Sequence, residues 1–174
     1  IAELQQAVDV YDSSIQTGNA VLDTVLVEKR LLCVQQQVQL TCLADGGRLL
    51  FLKPMDLYVL FGNALDNALE AVRQIADPER RVISLSVFGR EAVTVIQMEN
   101  YFVPRPSGLS VSDGLPRTSK AETAYHGFGL RSIKGIAESY GGTLSWRTEG
   151  DVFILSVVFP QEAEAAARAD YAPR

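Results

Sequence analysis

Apolar positions along the chain change period several times, and each change marks an element. Ile1, Leu4, Val8, Tyr11 and Ile15 are spaced 3, 4, 3 and 4, a short heptad seam on a helix. With only two heptads, the segment reads equally as a helix packed on its own domain. Thr17-Gly18-Asn19 interrupts the pattern. A second helix is predicted from about Ala20 to Gln36, with Leu22, Val25, Leu26 and Lys29 about one turn apart. Two strand-like runs follow, Val38 to Ala44 and Leu49 to Leu52, and Asp45-Gly46-Gly47 between them predicts a hairpin. Pro54 precedes a long helix, Met55 to about Ala76, which Asp77-Pro78 closes.

From Val82 to Phe88 the period becomes two, with Ile83, Leu85 and Val87 opposite Ser84 and Ser86. Ala92 to Met98 follows after Gly89-Arg90-Glu91, which predicts a hairpin. Between Val103 and Tyr125 no period survives among Pro104, Pro106, Gly108, Gly114 and Pro116. So long a connection suggests a functional lid or disorder. A short helix, Leu130 to Tyr140, ends at Gly141-Gly142, where the chain can turn out of the helix. Two last strands, Thr143 to Arg147 and Val152 to Phe159, are joined across Gly150. The Ala/Glu-rich tail after Pro160 reads as a fraying helix or disorder. Helices mixed with antiparallel hairpins indicate an α+β two-layer sandwich.

Composition narrows the picture. At 174 residues the chain exceeds one domain of ~150 residues only slightly. Apolar residues at 47% supply a core, and charged residues at 21% exclude bulk disorder. A net charge of −5 without a Lys/Arg cluster argues against nucleic-acid binding over the whole surface. Cys33, Cys42 and the single histidine, His126, do not make a zinc site. The cysteines are expected to be free thiols in a reducing compartment. No apolar run approaches the ~18 residues that span a bilayer. No signal peptide is visible and the first residue is Ile1, so the chain is expected to be part of a longer protein.

Three pieces can carry chemistry. In Asn63-Ala64-Leu65-Asp66-Asn67-Ala68-Leu69-Glu70, the residues Asn63, Asn67 and Glu70 share one helix face. Asparagine is a middling helix former, but its amide oxygen is a good ligand for a hard cation. Two amides one turn apart can hold a Mg2+ that keeps waters and substrate phosphates, or they can form a solvated polar face. His126-Gly127-Phe128-Gly129-Leu130 opens the short helix, where bare backbone N–H groups and the helix N-terminus favour an anion; a plain turn is the alternative. It is neither the dinucleotide fingerprint nor a P-loop. Lys120, on the lid, can reach a terminal phosphate as a point charge or be an ordinary surface lysine.

The order and spacing of these pieces resemble the Bergerat ATP-binding fold, shared by DNA gyrase, heat-shock chaperone ATPases, sensor histidine kinases and MutL. Thr17-Gly18-Asn19-x-x-Leu22-Asp23, Asn63 to Ala71, and His126 to Ile133 followed by Tyr140-Gly141-Gly142 are most similar to the AgrC-type histidine kinases. The resemblance implies a mixed, mostly antiparallel sheet with helices on one face. It implies that Asn67 and Asn63 hold Mg2+ and the phosphates of ATP. Gly127, Gly129 and the amide of Leu130, with His126 and Phe128 in the same motif, would face the phosphates. Lys120 would approach the γ-phosphate as the lid closes, and the lid is expected to be mobile without nucleotide. Glu99 or Asn100 would supply the acceptor oxygen for adenine, in place of the family's Asp-x-Gly-x-Gly. Glu70 stands where a lysine is common, and Arg73 one turn on can replace that charge.

ATP-hydrolysing relatives place a glutamate four residues before the metal-binding asparagine, as a base for water. Here that position is Asn63, which takes no proton, so phosphoryl transfer to another nucleophile fits better. His126 reads as a phosphate neighbour, so the acceptor histidine is expected outside the chain. The implied organisation is a dimerisation-helix tail at 1–16, an ATP-binding catalytic domain at 17–160 and a flexible tail at 161–174. The implied partners are a dimerisation and phosphoacceptor domain and a response regulator, in a homodimer at the cytoplasmic side of a membrane-bound sensor. Two other readings stay open: a non-catalytic nucleotide-binding or docking module, and a true ATPase.

Overall fold

A computed structural model of the chain describes residues 15–104, 111–112, 114–116 and 128–160. The predicted helix over 1–14, most of the lid and the tail over 161–174 lie outside these residues. Helix α1 spans Ala20–Gln35. Its start is made by the preceding motif. The Asn19 side-chain oxygen Oδ1 accepts from the amides of Val21 and Leu22, at 3.1 and 3.2 Å. In return Thr17 donates its backbone N–H and its hydroxyl to Asp23 Oδ1, at 2.9 and 2.6 Å. These bonds satisfy donors that a helix N-terminus otherwise leaves open. Gly18 between them has φ +87°, a conformation that favours glycine.

Strand β1 is Gln39–Ala44, but its partner is not the run after Gly47. Residues Gly46–Leu49 form a 3-10 turn, and β1 pairs in parallel with β2, Val82–Arg90. The predicted hairpin is therefore corrected. Leu49, Phe51 and Leu52 are buried while Leu50 faces solvent, a burial pattern without the alternation a strand needs. Helix α2, Pro54–Arg73, then crosses over the sheet and buries Leu57, Leu60, Phe61, Ala64, Leu65, Ala68, Leu69 and Val72.

Strands β2 and β3 (Val93–Tyr101) form the predicted hairpin. A two-residue ladder, β4 (Val111–Ser112) with β5 (Leu115–Pro116), lies within the stretch read as patternless. Helix α3, Phe128–Ser139, leads into β6 (Thr143–Glu149) and β7 (Val152–Pro160). The main sheet has the order β1-β2-β3-β7-β6, antiparallel except at β1-β2. Ile83, Leu85 and Val87 of β2, Ile96 and Met98 of β3, and Leu155, Val157 and Phe159 of β7 share the face that packs on the helices. The result is an α+β two-layer arrangement.

Two fastenings hold α3 to this frame. At its C-terminal end Gly141, φ +70°, and Gly142 donate to Glu138 O and Ala137 O, the paired bonds that end a helix in a glycine turn. There Tyr140 and Phe51 pack edge-on against Phe159, with ring centroids 6.3 and 5.2 Å away.

Lys29, on the buried stripe of α1, reaches Asp66 of α2 at 2.8 Å, with Glu28 at 3.8 Å. Lys29→Met keeps the apolar filling and removes a buried charge, so its stability is expected to stay within about 1 kcal/mol of the parent. Asp66→Ala strands the ammonium and is expected to cost about 1–2 kcal/mol, less than for a fully buried pair because Asp66 is exposed. Urea unfolding of both variants checks the order; a larger loss for Lys29→Met would overturn it.

Candidate functional site

Helices α2 and α3 run antiparallel, and that decides which residues meet. At one end Tyr140, just after α3, donates its hydroxyl to Asp56 Oδ2 at 2.6 Å and accepts from the Lys53 amide at 3.0 Å. Burial, then the bond to Asp56, raises the Tyr140 hydroxyl above its ordinary pKa, so it remains a donor at neutral pH. At the other end the start of α3 lies against the asparagine face of α2. A Cβ added to Gly129 would lie 3.4 Å from Asn67 Nδ2, 3.5 Å from Asn67 Oδ1 and 3.6 Å from Asn63 Oδ1. The two amides one turn apart and Gly129, at the start of α3, therefore lie against one another.

Asn67 Nδ2 is buried and has no hydrogen-bond partner among the described residues. An unmatched buried donor costs about 1–3 kcal/mol. Its surroundings are otherwise well packed: Ala64, Leu65 and Ala68 beside it are buried in the core. A buried donor left without a partner beside Gly129 matches an acceptor from outside the chain, such as a phosphate oxygen.

The β3 register separates two residues that the sequence left equivalent. Asn100 lies across from Ile83 and Phe153, on the helix-facing side, and is buried. Glu99 lies across from Ser84 and Ile154 on the opposite side, where its carboxylate accepts from Gln97 Nε2. Of the two, Asn100 faces the helix layer and Glu99 the opposite side of the sheet. The Asn100 Nδ2 donates to Tyr101 O at 2.9 Å, which leaves its oxygen as the group to offer an external donor.

Leu130 is buried in the core, and Phe128 is the first residue of α3. Lys120, His126 and Gly127 lie outside the described residues. Arg73 does not replace the missing lysine: its Nε donates to Gln36 Oε1 at 2.5 Å, beyond the C-terminal end of α1. Sequence reasoning missed Phe153 and Trp146. Their rings stack at 5.9 Å on the helix-facing side, Phe153 across from Asn100. Trp146 Nε1 donates to Gly114 O at 2.8 Å, and Leu115 is buried, so the centre of the lid is attached to β6. The signal was present: both are aromatics at the inward positions of the last hairpin. Cys33 is no candidate nucleophile, since burial pushes its thiol up to about 11.

Comparison with known proteins rests on this geometry. Residues 52–160 match the model of the GHKL domain family, more than half of the chain. The chain belongs to this family. As a GHKL domain it is similar to solved histidine-kinase structures. The nucleotide-free catalytic domain of the histidine kinase ThkA superposes with a TM-score of 0.62 at 16% identity, over 81% of this chain and 92% of that one. The histidine kinase AdeS of Acinetobacter baumannii gives 0.50 at 15% identity, over 82% of this chain and 64% of AdeS. Full-length ShkA, solved with AMPPNP, gives 0.54 at 14% identity, over 80% of this chain and 29% of ShkA. At these identities the likeness is one of fold. No curated protein matches the sequence.

The GHKL domain's own residues fit a magnesium nucleotide. The amides of Asn63 and Asn67, the latter with an unmatched buried Nδ2, lie beside a glycine without a Cβ, and amide oxygens suit a hard cation. Among the described residues no helix is long and apolar enough to cross a membrane.

Proposed function

We propose that this GHKL domain is the catalytic ATP-binding half of a two-component sensor histidine kinase, with 17–160 as the folded unit. The observation that carries the reading is the placement of Gly129 against both Asn63 and Asn67. Asn67 and Asn63 would hold Mg2+ and phosphate oxygens, and Gly129 lets the backbone at the start of α3 come close to them. Gly127, Phe128 and the amide of Leu130 would belong to the same cradle, with His126 beside it and Lys120 reaching in from the lid. Asn100 would accept from the amino group of adenine. Bound Mg2+ supplies charge neutralisation at the phosphates. Asn63 cannot take a proton from water, so the site favours holding the γ-phosphoryl for another nucleophile over hydrolysis. The AgrC-type branch is supported by Asn100 after Glu99 and by the Thr17-Gly18-Asn19 cap.

The acceptor histidine would belong to a dimerisation domain, of which 1–16 is the tail, and a response regulator would take the phosphoryl group from it. The setting would be the cytoplasm, beneath a membrane-bound sensor. The experiment is transfer in trans: the chain, γ-labelled ATP and a separate dimerisation domain bearing the acceptor histidine. Acid-labile label on that domain is the expected result. Nucleotide binding without transfer would make the chain a docking module, and steady phosphate release by the chain alone would make it an ATPase.

A further inference from the structure

The helix-facing side of the sheet changes character at one end. Ile96 and Met98 of β3 and Leu155, Val157 and Phe159 of β7 are buried there. The row beyond Met98 and Leu155 holds Asn100, with Phe153 as its direct partner on β7. Phe153 and Trp146 are half-buried, although both point toward the helices. Strand β7 is an inner strand, so the exposure of Phe153 is not that of a sheet edge. The helix layer leaves this end of the sheet open.

The phosphate candidates lie toward the same end. Tyr140, just past the C-terminal end of α3, packs on Phe159. From Phe159 back to Phe153 the strand covers about 20 Å, at ~3.3 Å per residue. The 12 residues of α3 span about 18 Å, and the helix packs on β6 and β7. Its first turn, with Gly129 against Asn63 and Asn67, is therefore directed toward the Phe153 end.

Strand β7 runs between β3 and β6, so Phe153 stands between Asn100 and Trp146. The Phe153 and Trp146 rings stack with planes 20° apart and centroids 5.9 Å apart, which covers one face of Phe153. Trp146 is itself held, because its Nε1 donates to Gly114 O at 2.8 Å and the adjoining Leu115 is buried. Resting on the nucleotide reading above, we propose that Phe153 stacks its remaining face on the base that Asn100 would bond, and that Trp146 is the positioning residue holding the ring in place. Asn100 would read an amino group on the edge of the base. Phe153 binds its flat face, and a ring fixed beforehand loses little freedom in doing so.

The test compares two ligands by calorimetry on the full chain: Mg-ATP, and Mg-tripolyphosphate, which lacks the base. Phe153→Leu keeps the apolar volume and loses the flat ring. It is expected to weaken Mg-ATP about tenfold while Mg-tripolyphosphate stays within about twofold. Phe153→Tyr, which keeps the ring, is expected to hold both within about threefold. Trp146→Ala is expected to weaken Mg-ATP about fivefold, again without moving Mg-tripolyphosphate, and Trp146→Phe to restore it. An equal loss for the two ligands, or no loss for Mg-ATP, would overturn the proposal and leave the nucleotide reading standing. A parent chain that does not bind Mg-ATP would remove both. Trp146 is the single tryptophan, so its emission gives a second reading that needs no variant. Mg-ATP is expected to change it more than Mg-tripolyphosphate does; equal changes, or none at saturating Mg-ATP, would overturn the stacking.

Discussion

Replacing Asn67 by alanine is expected to lower the affinity for Mg-ATP about a hundredfold, close to ~2.7 kcal/mol. Asn67 is the side chain nearest to Gly129, and its Nδ2 is a buried donor without a partner among the described residues. A hydrogen bond to a charged acceptor is worth about 1.5–3 kcal/mol, and the same amide would contribute a ligand to the ion. The effect on stability should have the opposite sign or vanish. Removing a buried donor that has no internal partner costs the folded state little, so the melting temperature without nucleotide is expected to be unchanged or slightly raised. Calorimetry of the parent and of Asn67→Ala, with and without Mg2+, checks the first point, and a thermal melt checks the second. Equal affinities in the two proteins would remove the basis for the proposed function. A large loss of stability would mean that Asn67 is a structural residue.

Phe159→Ala is expected to give the largest loss of stability, about 3–5 kcal/mol. The ring is fully buried at the end of β7, edge-on to Phe51 and Tyr140. The backbone of Gly142 also comes so close that a Cβ there would lie 2.7 Å from Phe159 Cδ1. A cavity at this point cannot close easily, because Gly142 is bonded to Ala137 O and Tyr140 to Asp56 and Lys53. At roughly 2–4 °C per kcal/mol, the melting temperature should fall by about 10 °C. The same fastening sets how α3 lies along α2, so nucleotide affinity should weaken as well, well below the loss for Asn67→Ala. A melting shift of only one or two degrees would show that the aromatic cluster does not hold the two helices in place.

The local grammar of the chain was readable because it is enforced by near neighbours. The asparagine face of α2 follows from the helical period, and the β2-β3 and β6-β7 hairpins follow from alternation around short turns. The cap before α1 was visible only as a family likeness; its bonds between Thr17, Asn19 and Asp23 explain it as a helix start. The run Leu49 to Leu52 misled because a short apolar stretch fits a strand or a buried turn equally well. Its role depends on the core it fills rather than on its own period.

Amino-acid order alone determined the helices α1, α2 and α3 and the β2-β3 and β6-β7 hairpins, and that two amides would stand one turn apart, since these rest on interactions a few residues long. Tertiary structure decided the rest. The parallel pairing of β1 with β2, the opposite facing of Glu99 and Asn100, the turn of Arg73 toward Gln36 and the meeting of Gly129 with Asn63 and Asn67 join residues far apart in the chain. Such contacts depend on how the apolar faces of α2, α3 and the sheet pack together, and no local pattern encodes that fit.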